Sequence, residues 1–545
     1  MTVWLVSREY AGIAEAGGVK NVSAALSESL VKMGHKVVLF IPLYACTSMD
    51  NINSFSCMWH RPVRVTVEGK KRTVTFGHGS IRGVEIVFVC HKSFSEKHGV
   101  YTYTKEEEAE NPGHKKGSGH EDCLILNTLF QKSVIAYSET CSAHESPDII
   151  HSQDATAAMI PVFVRDFSGR SAFAADFFSR TKCVVTIHNA GPGYHHEYPD
   201  LGEACRITGV SAELLSPGLS GACVEPFLLA IAHGATVTTV SPQYAEEISD
   251  GTVETAGLSE AFRRLGVRIL GITNGVDLER YDPRDTTVSL LPASYDTAHK
   301  DLLGKYECRG IFLHTYASRN RTVRELEPPE QGSVERYGYL MPLTPDEISA
   351  HKGSSNPIEP VYIAYHGRVV QQKGIDVLSE GAGMLLEKNL PVRFIFIGQG
   401  QPELERKFMD LTEKYAGKCV FFRGYDKMLS RLCIASADFA VFPSNFEPCG
   451  LEDFIAQIYG TLPVAHATGG LCKIVDDETG FLYRPNTPEK LYETLYSLVK
   501  IRVGAGANIF SNMISYAARY VWENYNWGNV AKKYVELYQN LLDCP

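Results

Sequence analysis

A chain of 545 residues is too long for one hydrophobic core and predicts more than one domain. Hydrophobic residues make up 44% and charged residues 21%, the balance of a soluble globular protein, and a net charge of -10 argues against nucleic acid or an anionic membrane as partner. Fourteen cysteines without a C-x-x-C pair read as reduced thiols of a cytosolic protein, and no stretch approaches the roughly 20 apolar residues that span a bilayer.

Residues 3–6 predict a buried first strand, and the opening MTVWLVSREY lacks the basic flank of a signal peptide. A helix follows over about 19–33, where Val22, Leu26, Leu30 and Met33 recur at helical spacing and Gly34 supplies a stop. With the next strand, 37–41, this makes a βαβ unit whose helix starts at Gly17-Gly18. There a phosphate can dock, or the glycines serve only a tight turn, and the local residues leave both readings open. Short strands are expected at 63–67 and 84–89, and the charged, glycine-rich stretch 105–121 reads as an exposed loop. Strands at 148–151, 183–187, 235–240 and 268–272 complete a first domain of 1–270. The turn Asn274-Gly275-Val276-Asp277 lies near the junction with a second domain of 271–526.

Residues 307–358 lack periodicity and are rich in Pro, Glu, Arg and Ser, which reads as an insertion or mobile loop. A second series of strands follows at 361–364, 392–397, 420–422, 439–442 and 463–465, with helical patterns between them. That alternation predicts a doubly wound parallel sheet, so the chain is classed as α/β. A last helix is expected over about 530–542, and no fixed-period repeat is visible.

Candidate chemistry gathers in the second series. Pro443 suits a strand end, which puts Glu447 at the carboxyl edge of a sheet, where open α/β folds bind ligands. After Cys449, Gly450 and Leu451 open a helical pattern whose free N–H groups suit an anion. A second strand end leads through Thr468 to the Gly469-Gly470 turn. Arg368 and Lys373 follow the first strand of the series, as two cations suited to a leaving diphosphate. Gly398-Gln399-Gly400 lacks the third glycine of a dinucleotide fingerprint. Without context Glu447 reads as a solvated loop residue, the Gly-Gly as a turn and the cations as surface residues. There is no D-x-D string, no His/Cys set with zinc spacing and no P-loop, so no metal or cofactor is implied.

Taken together, Ser444-x-Phe446-Glu447-Pro448-Cys449-Gly450-Leu451, Tyr459-Gly460-Thr461-Leu462-Pro463 and Thr468-Gly469-Gly470-Leu471 resemble the nucleotide-sugar-binding segment of glycogen and starch synthases in order and spacing. Gly367-Arg368 through Gln372-Lys373-Gly374 resembles the same family's S-R-x-x-x-Q-K-G motif. The resemblance implies a GT-B fold of two Rossmann-like domains facing a cleft, with the last helix, about 527–545, crossing back to the first domain. It implies that Arg368 and Lys373 hold the diphosphate and that Glu447 orients the glucose hydroxyls, with Thr468 to Leu471 donating from the backbone. It places Gly398 and Gly400 near the nucleotide and Tyr425 near the base. In the first domain Thr186-Ile187-His188-Asn189 is similar to the family's T-V-H-N, which puts His188 beside the transferred glucose. Asp154 matches the acid of its H-x-H-D-W-H.

Three departures stand out. The family's K-x-G-G-L is here Glu15-Ala16-Gly17-Gly18-Val19, with an acid for a phosphate-binding lysine. Its H-D-W-H is Gln153-Asp154-Ala155-Thr156, and little of its D-N-x-x-R-F survives near Asp122. Lys20 is positioned to substitute for the missing cation. The function implied is transfer of glucose from ADP-glucose, or another nucleoside diphosphate glucose, to an α-1,4-glucan with retention, in the cytoplasm. The alternatives are a non-catalytic glucan- or nucleotide-binding relative and a glucosyltransferase with a different donor.

Overall fold

Val3, Trp4, Leu5 and Val6 are fully buried because their strand, Thr2–Val6, lies inside a sheet. It pairs in parallel with Lys36–Pro42 on one side and Ile149–Gln153 on the other, with Leu5 opposite both Leu39 and His151. A strand covered on both faces has no polar face to present, and this explains the unbroken apolar runs. The computed structural model describes residues 1–58, 60–319, 334–349, 358–505 and 508–543. The chain divides into two compact units, Met1–Asn274 with Trp527–Pro545, and Gly275–Asn526.

In the first unit the sheet runs outward from Thr2–Val6 through Ile149–Gln153, Lys182–Ile187, Thr236–Thr239 and Leu270–Gly271, all parallel. In the other direction it passes through Lys36–Pro42 and Val84–Cys90, then turns antiparallel at Lys70–Ile81 and Asn53–Cys57, with Val63–Val67 paired beside Lys70–Ile81. The sheet is therefore mixed. The helix Val19–Lys32 buries Val22, Leu26 and Leu30. The helix Trp527–Asp543 joins this unit, and the Tyr538 hydroxyl lies 2.7 Å from His151 Nδ1 in the core. The stretch expected as an exposed loop from 105 opens as a helix, Lys105–Glu110, instead. Thr104 and Glu107 form a reciprocal capping box there, which stabilises a helix too short and polar to show a periodic signal.

In the second unit the order is Glu335–Leu340, Lys418–Arg423, Val392–Gly398, Val361–His366, Phe439–Phe442, Leu462–His466 and Phe481–Tyr483. All neighbours are parallel except the first pair. Helices such as Ile375–Leu386 and Lys427–Ser436 separate the strands and bury their apolar stripes. The described part of 307–358 is not an unpacked insertion. Leu303–Phe312 is a helix, Glu335–Leu340 is an antiparallel edge strand, and Pro345–Ser349 is a helix that buries Glu347 against Arg393. Edge pairing needs backbone groups rather than an apolar pattern, so the sequence there looked loop-like. Residues 320–333 and 350–357 of that expectation lie outside the described residues. Among the described residues no helix is long and apolar enough to cross a membrane, and the thirteen cysteines are all free.

Candidate functional site

The second unit brings most of its predicted residues together at the carboxyl edge of its sheet. Strand Phe439–Phe442 delivers Ser444 and Glu447, and strand Val361–His366 delivers the loop 367–374. The two loops are tied by backbone and amide contacts. Asn445 donates its N–H to the Gln372 carbonyl at 2.8 Å, and Gln372 Nε2 donates to the Phe446 carbonyl at 3.2 Å. Gly374 has φ +65°, and a Cβ there would overlap the Pro443 carbonyl, so only glycine lets the loops approach this closely.

On this frame Lys373 Nζ pairs with Glu447 Oε2, and the Ser444 hydroxyl donates to the same oxygen at 3.1 Å. Arg368 is exposed and donates from Nη2 to Gln372 Oε1 at 3.1 Å. Gly470 donates its N–H to the Glu447 carbonyl at 2.7 Å, which binds the Thr468–Gly470 turn to the Glu447 loop. Thr468, Gly469, Gly470 and Cys449 are buried, while Gly450 and Leu451 are partly exposed at the start of the helix Glu452–Ile458. Gly400 donates its N–H to Glu405 Oε1 at 2.7 Å, and Gly424 donates its N–H to the Gly398 carbonyl at 3.0 Å, so both of these glycines serve the local turn. Tyr425, just beyond Gly424, keeps 54% of its surface exposed.

One pair was not foreseen. His366 Nδ1 lies 2.8 Å from Glu452 Oε2. Burial lowers the imidazole's affinity for a proton, but Glu452 outweighs it, and the net shift of His366 is upward. Burial pushes the Glu452 carboxyl up, and His366 pulls it below its ordinary range. The pair joins a strand end to a helix start 86 residues away, a spacing that leaves no pattern in the sequence.

The first unit gathers a different set. Asp154 follows strand Ile149–Gln153 with φ +64°, an uncommon backbone for a residue with a side chain, of the kind held at functional sites. Burial pushes its carboxyl up to about 7, against the opposing pull of the His188 and Ala155 backbone N–H groups, and its Oδ1 has no hydrogen-bond partner among the described residues. The carboxyl can therefore hold or release a proton near neutrality. His188 follows strand Lys182–Ile187 with Nε2 2.8 Å from Gln153 Oε1, and burial lowers its imidazole to about 4, which keeps it neutral. His195 was also missed. Its Nδ1 lies 2.8 Å from Glu225 Oε2 and its Nε2 2.8 Å from the Ala190 carbonyl. Burial opposes its charge, but Glu225 prevails and raises His195 to about 9.

The glycine turn of this unit is already occupied by an internal carboxyl group, although burial pushes its acidity down. Glu9 Oε2 accepts from the N–H groups of Ala16 at 2.9 Å and Gly17 at 2.6 Å. Glu15 does not point a free carboxylate at the turn either. It accepts from the Gly12 N–H at 2.7 Å and pairs with Lys20 Nζ at 2.8 Å. Lys20, expected as a substitute cation, is engaged by Glu15. Gly18 begins the helix without a side-chain cap. Among the described residues no group of three or more His, Cys, Asp or Glu is placed to hold a metal ion.

Comparison with known proteins gives two family matches. Residues 2–264 match the starch synthase catalytic domain, and residues 360–500 match glycosyl transferases group 1. The glycogen synthase of Thermodesulfovibrio yellowstonii is 27% identical over 558 aligned positions, covering 99% of this chain and 98% of that protein. That of Kosmotoga olearia is 26% identical, covering 100% and 98%. Among solved structures, the catalytic domain of starch synthase IV from Arabidopsis thaliana, bound to ADP and acarbose, superposes with a TM-score of 0.75 at 23% identity over 99% of each chain. Sucrose-phosphate synthase from Thermosynechococcus elongatus superposes with 0.52 at 15% identity, over the full length of both chains.

Proposed function

This chain belongs to the glycogen and starch synthase family of glycosyltransferases, and from that premise we propose that it elongates an α-1,4-glucan with glucose from ADP-glucose, with retention at the anomeric carbon. The observation that carries the reading is the Lys373–Glu447 pair, set between two glycine turns with Arg368 on the adjoining loop. Arg368 and Lys373 stabilise the diphosphate as its bond to C1 of glucose breaks. Preorganised donors of this kind are typically worth about 3–4 kcal/mol each in the transition state. Glu447 orients the sugar hydroxyls. The acceptor 4-hydroxyl attacks C1 on the face the diphosphate leaves, and its proton passes to the departing phosphate oxygen, so the step balances without a cofactor. Tyr425 offers its exposed ring to the base, and Gly398 and Gly400 shape the turn beside it.

In this reading His188, held neutral by burial, serves the transferred glucose, and Asp154 acts near it as a hydrogen-bonding acid. Gly17 and Gly18 serve the donor phosphate only if Glu9 yields the amides it now caps. The glycogen synthase names of the relatives support the glucan acceptor, and the ADP and acarbose on the plant enzyme support both the adenine nucleotide and a glucan chain. Free thiols throughout the described chain support a reducing compartment, which we take to be the cytoplasm.

One observation favours a second reading, a non-catalytic relative that binds glucan or nucleotide. The amides of the first unit's glycine turn are taken by the Glu9 carboxyl, and Glu15, paired with Lys20, stands where the family motif has a phosphate-binding lysine, which weakens attraction for a donor phosphate. Transfer of labelled glucose to glycogen from ADP-glucose and from UDP-glucose separates the readings. Turnover with ADP-glucose preferred supports the proposal, and nucleotide binding without turnover supports the second reading.

A further inference from the structure

Lys473 ends the short turn helix Gly469–Lys473 and carries none of the roles assigned above. Its side chain folds back under the two glycine turns. Nζ lies 2.7 Å from the carbonyl oxygen of Cys449, 2.8 Å from that of Gly450, 3.0 Å from that of Gly470 and 2.9 Å from Asp453 Oδ1, so its three N–H groups are shared among four acceptors. The ammonium also lies 4.4 Å from the centre of the Phe454 ring. The Lys473 side chain is 4% exposed and that of Asp453 is fully buried.

A buried ion pair rarely stabilises a fold more than a well-packed apolar pair would, so the choice of acceptors is the informative part. Three of the four are main-chain carbonyls. Two belong to the turn after strand Phe439–Phe442 and one to the turn after strand Leu462–His466. A trans peptide unit is planar, and its C=O and N–H point in opposite directions. Drawing the Cys449 and Gly450 carbonyls onto one ammonium therefore turns the N–H groups of Gly450 and Leu451 away from it. The Leu471 N–H, in the peptide unit of the third carbonyl, is already taken by the Thr468 carbonyl at 3.0 Å. A single cation thus sets the direction of two amides and clamps two loops to each other.

We propose that Lys473 is a positioning residue for the donor: with Asp453 as its counter-charge, it locks both turns so that the Gly450 and Leu451 amides meet the nucleoside diphosphate sugar in one fixed arrangement. This rests on the donor site assigned to the second unit. The lysine acts through the backbone and does not touch the ligand. Its loss should weaken donor binding and leave the acceptor unaffected, a split that general destabilisation would not produce.

The test uses the full chain with ADP and UDP as probes in titration calorimetry, and donor and glycogen kinetics. Lys473→Met keeps the stem over Phe454 and removes every donor. It is expected to raise the donor KM and the nucleoside diphosphate Kd together by about ten-fold, the usual weight of a charge-assisted contact, while the glycogen KM and kcat at saturating donor change by less than about three-fold. Lys473→Gln keeps two N–H donors and stands in if the methionine variant does not fold, with an expected rise of about three-fold. Wild-type Kd in the variant that folds, or equal losses on donor and glycogen, overturns the proposal. If the wild-type chain binds neither ADP nor UDP, the donor-site reading fails first.

Discussion

Lys373 and Glu447 form an ion pair that links the loop after Val361–His366 to the loop after Phe439–Phe442, and Ser444 donates to the same carboxylate oxygen. Cation and acid hold each other in place at two adjacent strand ends before any substrate arrives. Arg368 stands apart, exposed and with one hydrogen bond to Gln372. The two cations therefore differ in what their removal does. Lys373→Ala leaves a part-buried Glu447 without its partner and is expected to lower both turnover and melting temperature. Arg368→Ala should lower turnover by about 10²–10³-fold, the cost of one preorganised donor, with an unchanged melting temperature. Steady-state kinetics beside a thermal melt checks this, and near-normal turnover in Arg368→Ala contradicts its leaving-group role.

Glu15→Lys would give the turn the lysine of the K-x-G-G-L motif that it resembles, but its surroundings argue against a gain. The substitution removes the acceptor for the Gly12 N–H and sets two lysines side by side where Glu15 and Lys20 now pair. The expected result is a slightly lower melting temperature, since exposed pairs contribute about 0–1 kcal/mol, and no fall in donor KM. A donor KM lowered ten-fold would show instead that the turn accepts a phosphate despite Glu9.

The His195–Glu225 pair makes stability depend on pH in a defined window. The folded imidazolium titrates at about 9 against 6.5 for the ordinary group, so its contribution is complete below pH 6.5 and is lost as pH rises through 9. The whole effect is bounded by about 3 kcal/mol at about 1.4 kcal/mol per pH unit. Glu225→Gln should therefore lose less stability than wild type between pH 6 and pH 9.5 in chemical denaturation. Equal losses in both proteins would refute the assignment.

Glu347 and Arg393 are both about 1% exposed and pair at 2.9 Å, with Lys418 Nζ at 3.1 Å from the same carboxylate. Cation contacts hold the Glu347 carboxyl at about 2 even though burial alone would raise it. Glu347→Ala strands a buried guanidinium and is expected to cost about 3–5 kcal/mol. Removing residues 335–349 would do the same and expose the edge of strand Lys418–Arg423. Unfolding titrations measure both, and a deletion without loss of stability would mean this edge is dispensable.

Where strands were buried on both faces, as at Thr2–Val6 and Phe439–Phe442, continuous apolar runs made them legible. The Glu447 and Gly469-Gly470 strings were legible because their geometry is local: a strand end, a turn, a helix start. Glu335–Leu340 was not, because an antiparallel edge strand is held by backbone bonds to one neighbour and only Leu340 in it is buried. The Lys473–Asp453, His195–Glu225 and His366–Glu452 pairs left no sequence signal, since each joins residues 20 to 86 positions apart that only the fold brings together. Glu9 was passed over because nothing in its neighbours reveals that its carboxylate reaches the Gly17 amide eight residues on.

Transfer of glucose from labelled ADP-glucose to glycogen, with UDP-glucose in parallel and Glu447→Ala as control, addresses the central claim. The account predicts α-1,4-linked label in the polymer, faster transfer from the adenine donor, and loss of transfer in the control. Nucleotide binding by the wild-type chain with no polymer label from either donor would contradict it and leave a binding protein.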